Sequence, residues 1–178
     1  MERCRIVFSG SGGQGVITAS IILAHAAVIF DNLEAVQSQS YGPEARGGAT
    51  RSDVIISESQ IYFPKVIQPN ILISLTQEAY NKFAPIIRPG GILISDRRFV
   101  TTGRYVDAVQ KSFPMFETVM ADIGNPIVFN ICMLGVLIEL TKIVREESVI
   151  KTLENNIPKK FIDINKKALF LGIDLAKE

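Results

Sequence analysis

The sequence predicts an α/β fold: a three-layer, open, mostly parallel sheet with helices on both faces, an antiparallel hairpin excursion and a helical C-terminal part. Three observations predict it. A short apolar run at 4–9 ends in glycines and is followed by an apolar run of helical length. Two further strongly apolar runs, 70–76 and 92–95, are bounded by turn residues and separated by a helical stretch. Beyond residue 115 the apolar positions recur at helical spacing. Strands that alternate with helices pack into layered α/β architectures.

Each element follows in order. Residues 4–9 (CRIVFS) form a first strand that stops at glycine. Residues 16–30 are apolar nearly all round and rich in alanine, which predicts a helix covered on both sides. Asp31 and Asn32 stop it, and 33–37 form a second strand, completing a crossover unit. Residues 50–57 and 60–63 read as two strands around a turn at Glu58-Ser59, and so short a connection makes that pair antiparallel. The strand at 70–76 leads to a helix over 77–87, a turn at 88–91 and a buried strand at 92–95. Residues 104–109 add a last strand. Helices follow at 116–123, 130–144, 146–156 and 159–171, the last ending before Gly172. Glu146 and Glu147 sit in a first turn, where acids complement the helix dipole.

Composition bounds the function. The 178 residues suit one domain over 1–178, and 47% hydrophobic with 21% charged residues is a foldable balance. A net charge of +1 supplies no bulk field for nucleic acid or an anionic membrane, so an anion site must be local. Cys4 and Cys132 match no metal spacing and cannot supply the four thiolates of an iron–sulfur cluster. They read as buried free thiols of a reduced compartment. His25, within the apolar helix, reads as a packed residue and not a ligand. The long apolar stretch at 126–144 contains Asn130, Glu139, Thr141 and Lys142, which suits a core helix better than a membrane span. Nothing near Met1 reads as a secretory signal, and the expectation is a soluble, cytoplasmic protein.

The chemistry-bearing motif is Gly10-Ser11-Gly12-Gly13-Gln14-Gly15, between the first strand and the first helix. Glycine admits positive φ and lets a ligand approach the backbone. The helix N-terminus beyond it offers unpaired N–H groups and partial positive charge to a phosphate or other anion. Gly10-x-Gly12-x-x-Gly15 also fits a dinucleotide fingerprint. That reading requires a carboxylate at the end of the second strand for the ribose. Asp31 has the spacing but precedes that strand, which itself ends at Gln37-Ser38. A purely structural use, close strand–helix packing, also fits these glycines.

A second motif is Ser40-Tyr41-Gly42-Pro43-Glu44-Ala45-Arg46-Gly47-Gly48. Its glycines and proline punctuate a loop that presents Tyr41, Glu44 and Arg46, and it should lie near the carboxyl end of the first strand, where open α/β sheets bind ligands. Arg46 can fork onto a carboxylate or phosphate, or pair with Glu44 to brace the loop.

With the first motif and its Ala-rich helix, this loop resembles the gamma subunit of 2-oxoacid:ferredoxin oxidoreductases of the pyruvate, 2-oxoglutarate and ketoisovalerate type. Arg88-Pro89-Gly90-Gly91-Ile92-Leu93-Ile94 is similar to a downstream element of that family. Gly124-Asn125, Asn130 and Gly135 resemble its later helical signature at stretched spacing. The resemblance implies an accessory, non-catalytic chain of an enzyme that converts a 2-oxoacid and coenzyme A to acyl-CoA, with electrons passed to ferredoxin. It implies alpha and beta subunits as partners, a delta subunit where one exists, and ferredoxin only indirectly. Thiamine diphosphate, magnesium and iron–sulfur clusters would sit on those partners. This chain would hold none of them, would contact coenzyme A, and would pack against the alpha subunit.

The expected binding residues are Gly10, Gly12, Gly13, Gln14 and Gly15, facing a second wall of Tyr41, Glu44, Arg46 and Gly47. No catalytic residue and no metal ligand is expected. Two alternatives stay open from sequence: a stand-alone NAD- or FAD-binding Rossmann-type oxidoreductase, and an assembly scaffold whose glycine turn binds nothing.

Overall fold

The computed structural model describes residues 3–40, 48–103 and 106–177. Among them six strands form one sheet in the order β2-β3-β1-β4-β5-β6. β1 (Cys4–Gly10), β4 (Ile71–Ser74), β5 (Gly91–Asp96) and β6 (Ala108–Phe113) run parallel. Ile6, Ile71 and Ile92 lie in register, as do Phe8, Ile73 and Ile94. These central strands are buried on both faces, which is why they read as continuous apolar runs.

The antiparallel excursion is real but differs from the expected hairpin. β3 (Thr50–Ser57) lies between β1 and β2 (Glu34–Ser40), antiparallel to both. Residues 60–63 form no strand. Both edges of β3 are already taken, so no pairing edge is left for them. The Ser59 N–H donates to Ser57 Oγ at 3.1 Å, a local turn that carries the chain away, and Pro64 follows. The last strand is likewise displaced, to 108–113. Gln110, Lys111 and Ser112 give this half-exposed edge strand little apolar signal.

Helices cover both faces unequally. α1 (Val16–Phe30), α3 (Met115–Asp122), α4 (Phe129–Thr141), α5 (Glu146–Asn156) and α6 (Ile162–Lys177) form one layer with Ile6, Phe8, Ile73 and Ile94. The other face, with Val7, Ile55, Leu72 and Leu93, packs Tyr80 and Phe83 of α2 (Gln77–Phe83). α2 starts at Thr76, whose Oγ1 accepts from the Ala79 N–H at 3.2 Å. It gives way to a 3₁₀ turn at Pro85, which cannot continue the helix ladder.

Two sequence expectations fail within the helical layer. α1 has the predicted bounds but is not covered on both sides: His25, Val28 and Ile29 are exposed on its outer face. His25 is therefore not a packed residue. Gly172 does not end the last helix but lies buried inside α6. A Cβ there would stand 1.9 Å from the Cys132 carbonyl oxygen of α4, and one on Gly135 would stand 2.2 Å from the Leu169 oxygen of α6. The two helices cross at backbone contact, and only glycine fits.

Candidate anion site at the glycine turn

The turn after β1 is built by its own side chains. Gln14 folds back so that its Oε1 accepts from the Ser11 N–H at 2.8 Å and its Nε2 donates to the Leu75 carbonyl at 3.2 Å. Gly10 makes room for this clasp, since a Cβ there would meet Gln14 Oε1 at 2.5 Å. Gln14 thus braces the turn and ties it to the end of β4. Gly13 (φ 89°) and Gly15 (φ 72°) occupy the left-handed region that glycine adopts most readily. Gly15 also packs on Asn130, whose Nδ2 donates to the Gly15 carbonyl at 3.2 Å. Around Gly12, by contrast, a Cβ would meet nothing within 4 Å.

Gly15 is the N-cap of α1, and no side chain caps that terminus; its first turn carries no acid. The leading N–H groups of a helix have no intrahelical partner, and the helix dipole makes that end electropositive. The turn opens on a cleft of about 550 Å³. Its polar side is Ser11, Gly12, Gly13, Thr18 and Thr50. Its other side is an apolar wall from the C-terminal layer, including Ile127, Ile131, Ile157, Phe161 and Ile164. Ile127 stands 72% exposed at its rim. It is held there by a cap in which Asn125 Oδ1 accepts from its N–H at 3.1 Å.

The wall was not read from the sequence. Its residues come from three separated segments, each of which looks like an ordinary core stripe. The one usable signal was Gly124-Asn125-Pro126 immediately before Ile127, a helix start that puts an isoleucine at its exposed first turn.

Tyr41, Glu44, Arg46 and Gly47 lie outside the described residues. The strand ends that flank them are placed. Ser40 pairs with Arg51, and Thr50 pairs with Gly10, so the connecting segment leaves and returns beside the glycine turn.

Asp31 is not available to a ribose. It follows the far end of α1 and accepts from the Arg145 backbone N–H at 2.8 Å, from its Nε at 2.6 Å and from Ser148 Oγ at 2.5 Å. Its side chain is 7% exposed. Burial alone would raise this carboxyl, but the hydrogen bonds from Ser148 and Arg145 outweigh it and hold it below its ordinary range.

Among the described residues lining the cleft there is no aspartate, glutamate, histidine, lysine, cysteine or tyrosine. The described arrangement can hold an anion and an apolar group. Asp96, which sequence reading passed over, is a fully buried carboxyl at the end of β5. Burial pushes it up, and the Phe116 and Arg98 N–H groups that it accepts from, at 2.7 and 2.9 Å, draw it back in part. It fixes the start of α3 and lies outside the cleft. Burial pushes both thiols up, Cys4 to about 11 and Cys132 to about 12, which disfavours the nucleophilic thiolate. Among the described residues no helix is long and apolar enough to cross a membrane.

The family model for pyruvate ferredoxin/flavodoxin oxidoreductase matches residues 5–175. The 2-oxoglutarate synthase subunit KorC of Methanocaldococcus jannaschii is 47% identical over 178 residues, covering 99% of this chain and 95% of that protein. The gamma subunit of a keto/oxoacid ferredoxin oxidoreductase from Geobacter sulfurreducens superposes with a TM-score of 0.89 at 41% identity, covering 98% of each chain. The ketoisovalerate oxidoreductase subunit VorA of Methanothermobacter marburgensis is 31% identical over 98% of this chain but only 37% of its own length.

Proposed function

This chain belongs to the pyruvate ferredoxin/flavodoxin oxidoreductase family as a gamma-type subunit, and from that premise we propose that its glycine turn closes the coenzyme A site of the assembled enzyme. The observation that carries this reading is the uncapped start of α1, opening on a cleft with a polar side at the glycine turn and an apolar wall opposite. Such a site suits the positioning of a charged substrate.

In this reading a phosphate of coenzyme A sits against the N–H groups of Gly12, Gly13 and Gly15 and the first turn of α1. Gln14 acts through the turn by fixing its shape. Tyr41, Glu44, Arg46 and Gly47 form the second wall. Carbon chemistry and electron transfer belong to the alpha and beta subunits and to a delta subunit where one exists. Those chains carry thiamine diphosphate, magnesium and the iron–sulfur clusters, and ferredoxin meets them and not this chain. Residues 1–178 act as one gamma-type domain in the cytoplasm, where a reduced setting suits two free thiols. The kinship with KorC supports 2-oxoglutarate as the substrate of the whole enzyme.

A stand-alone NAD enzyme is not favoured, because the candidate ribose carboxylate, Asp31, is committed to Arg145 and Ser148 at the other end of α1. The test is Gly12→Ala in the reconstituted complex. The added methyl meets open space in the protein but would stand where the ligand approaches. The Michaelis constant for coenzyme A should rise about tenfold with kcat little changed. An unchanged constant, or tight NAD binding by the isolated chain in equilibrium dialysis, would sink the proposal. Turnover of 2-oxoglutarate against pyruvate and branched-chain 2-oxoacids checks the substrate assignment.

A further inference from the structure

The glycine-turn site uses nothing from the other, amino end of β1. There Arg5, Lys65 and Arg88 line a single hollow of about 620 Å³ together with Phe63, Ile67 and Pro89. The three cations come from three separate places: the start of β1, the connection between β3 and β4, and the turn before β5. Among the described residues none of them is paired with a carboxylate. In a chain of net charge +1, three like charges around one concavity, without a carboxylate partner among the described residues, repel each other and favour an anionic occupant.

The apolar members are exposed although their segment is pinned. Val66 is buried, and its carbonyl accepts from Arg51 Nη2 at 2.7 Å, while Arg3 Nη2 donates to the Gln60 carbonyl at 3.2 Å. Arg51 is itself locked to Asp53 by bonds of 2.6 and 2.9 Å. Even so, Phe63 is 55% and Ile67 70% exposed, and Tyr62 stands out beside them. Aromatic and arginine side chains together, held rigid and uncovered, are the composition of a protein interface. A small anion would engage the cations and leave this apolar surface in water.

We propose that this end of the chain docks a carboxylate-rich segment of a partner subunit, whose acids meet Arg5, Lys65 and Arg88 and whose apolar side chains cover Phe63 and Ile67. The proposal rests on the subunit reading above and concerns a face that reading leaves unassigned.

The test uses the full chain and its partner subunits. Association is measured by titration at about 50 mM and about 300 mM NaCl, where screening differs strongly. Lys65→Glu combined with Arg88→Glu should weaken assembly about tenfold or more at the lower salt and flatten the salt dependence. Phe63→Ala should weaken it at both salts alike. All three positions are surface ones, and melting curves matching the parent's confirm that each variant is folded. Folded variants that assemble like the parent overturn the proposal. So does a double variant that assembles normally but raises the Michaelis constant for coenzyme A, because the hollow is then a small-anion site. If the parent chain itself does not join the other subunits, the subunit reading falls first and takes this proposal with it.

Discussion

Glycine serves opposite ends at the α4–α6 crossing and at the turn after β1. At the α4–α6 crossing, Gly135 and Gly172 have ordinary helical backbones, and a Cβ would run into a carbonyl oxygen of the facing helix at 2.2 and 1.9 Å. At the turn after β1, Gly12 has open space, and Gly13 and Gly15 are set by positive φ. The crossing needs glycine to let protein approach protein. The turn leaves its backbone open on the side of the cleft. A glycine that the fold does not require, at the mouth of a cleft, is the one whose cost should appear in function and not in stability.

Alanine substitutions put numbers on that contrast. Gly172→Ala should have the largest effect, about 3 kcal/mol or more of lost stability, because the helices must separate or bend to admit the methyl. A melting temperature equal to the parent's would show that the crossing is not tight. Gly15→Ala comes next, at about 2 kcal/mol. It combines a left-handed backbone with a Cβ 2.6 Å from Asn130 Nδ2, and it should disturb coenzyme A kinetics as well.

Asp31→Asn, away from both glycine clusters, should cost about 1 to 2 kcal/mol near neutral pH through lost charge-assisted hydrogen bonds. Because the folded protein holds this carboxyl below its unfolded value, its stabilisation is present above the unfolded pKa, near 4. It is lost as pH falls through the folded pKa. Denaturant midpoints of parent and variant should therefore converge in acid, and a gap that widened there would contradict the linkage. Gly12→Ala should have the smallest effect on stability, within about 0.5 kcal/mol. If it destabilised as much as Gly15→Ala, the distinction between a structural and a ligand-facing glycine would collapse.

The parts of the fold legible in the sequence were those whose physics is local. The central strands are buried on both faces, so they announce themselves as apolar runs, and Val16–Phe30 is bounded by glycine at one end and Asp31-Asn32 at the other. What was not legible depended on neighbours. Residues 60–63 carry a strand-like pattern, but both edges of the preceding β3 are taken by β1 and β2. His25 occupies an apolar run, yet the side of α1 it lies on is uncovered. Gly172 has the identity of a helix terminator and the environment of a helix contact. The site divides in the same way. The turn's glycines were readable, whereas its apolar wall draws on residues more than a hundred positions further along, which nothing local connects to Gly12.

The reversed direction of β3 has a consequence for where the ends of its neighbours lie. Were β3 parallel to β1, its connection from β2 would have to cross the sheet and arrive at the far end. Because it runs backwards, the chain leaves β2 at Ser40 and re-enters at Thr50, opposite Gly10, without changing ends. A single inverted strand thereby sets the end of β2 and the start of β3 at the same end of the sheet as the glycine turn, with both ladders of β3 in register. The direction of one strand thus decides at which end of the sheet the chain between β2 and β3 is anchored.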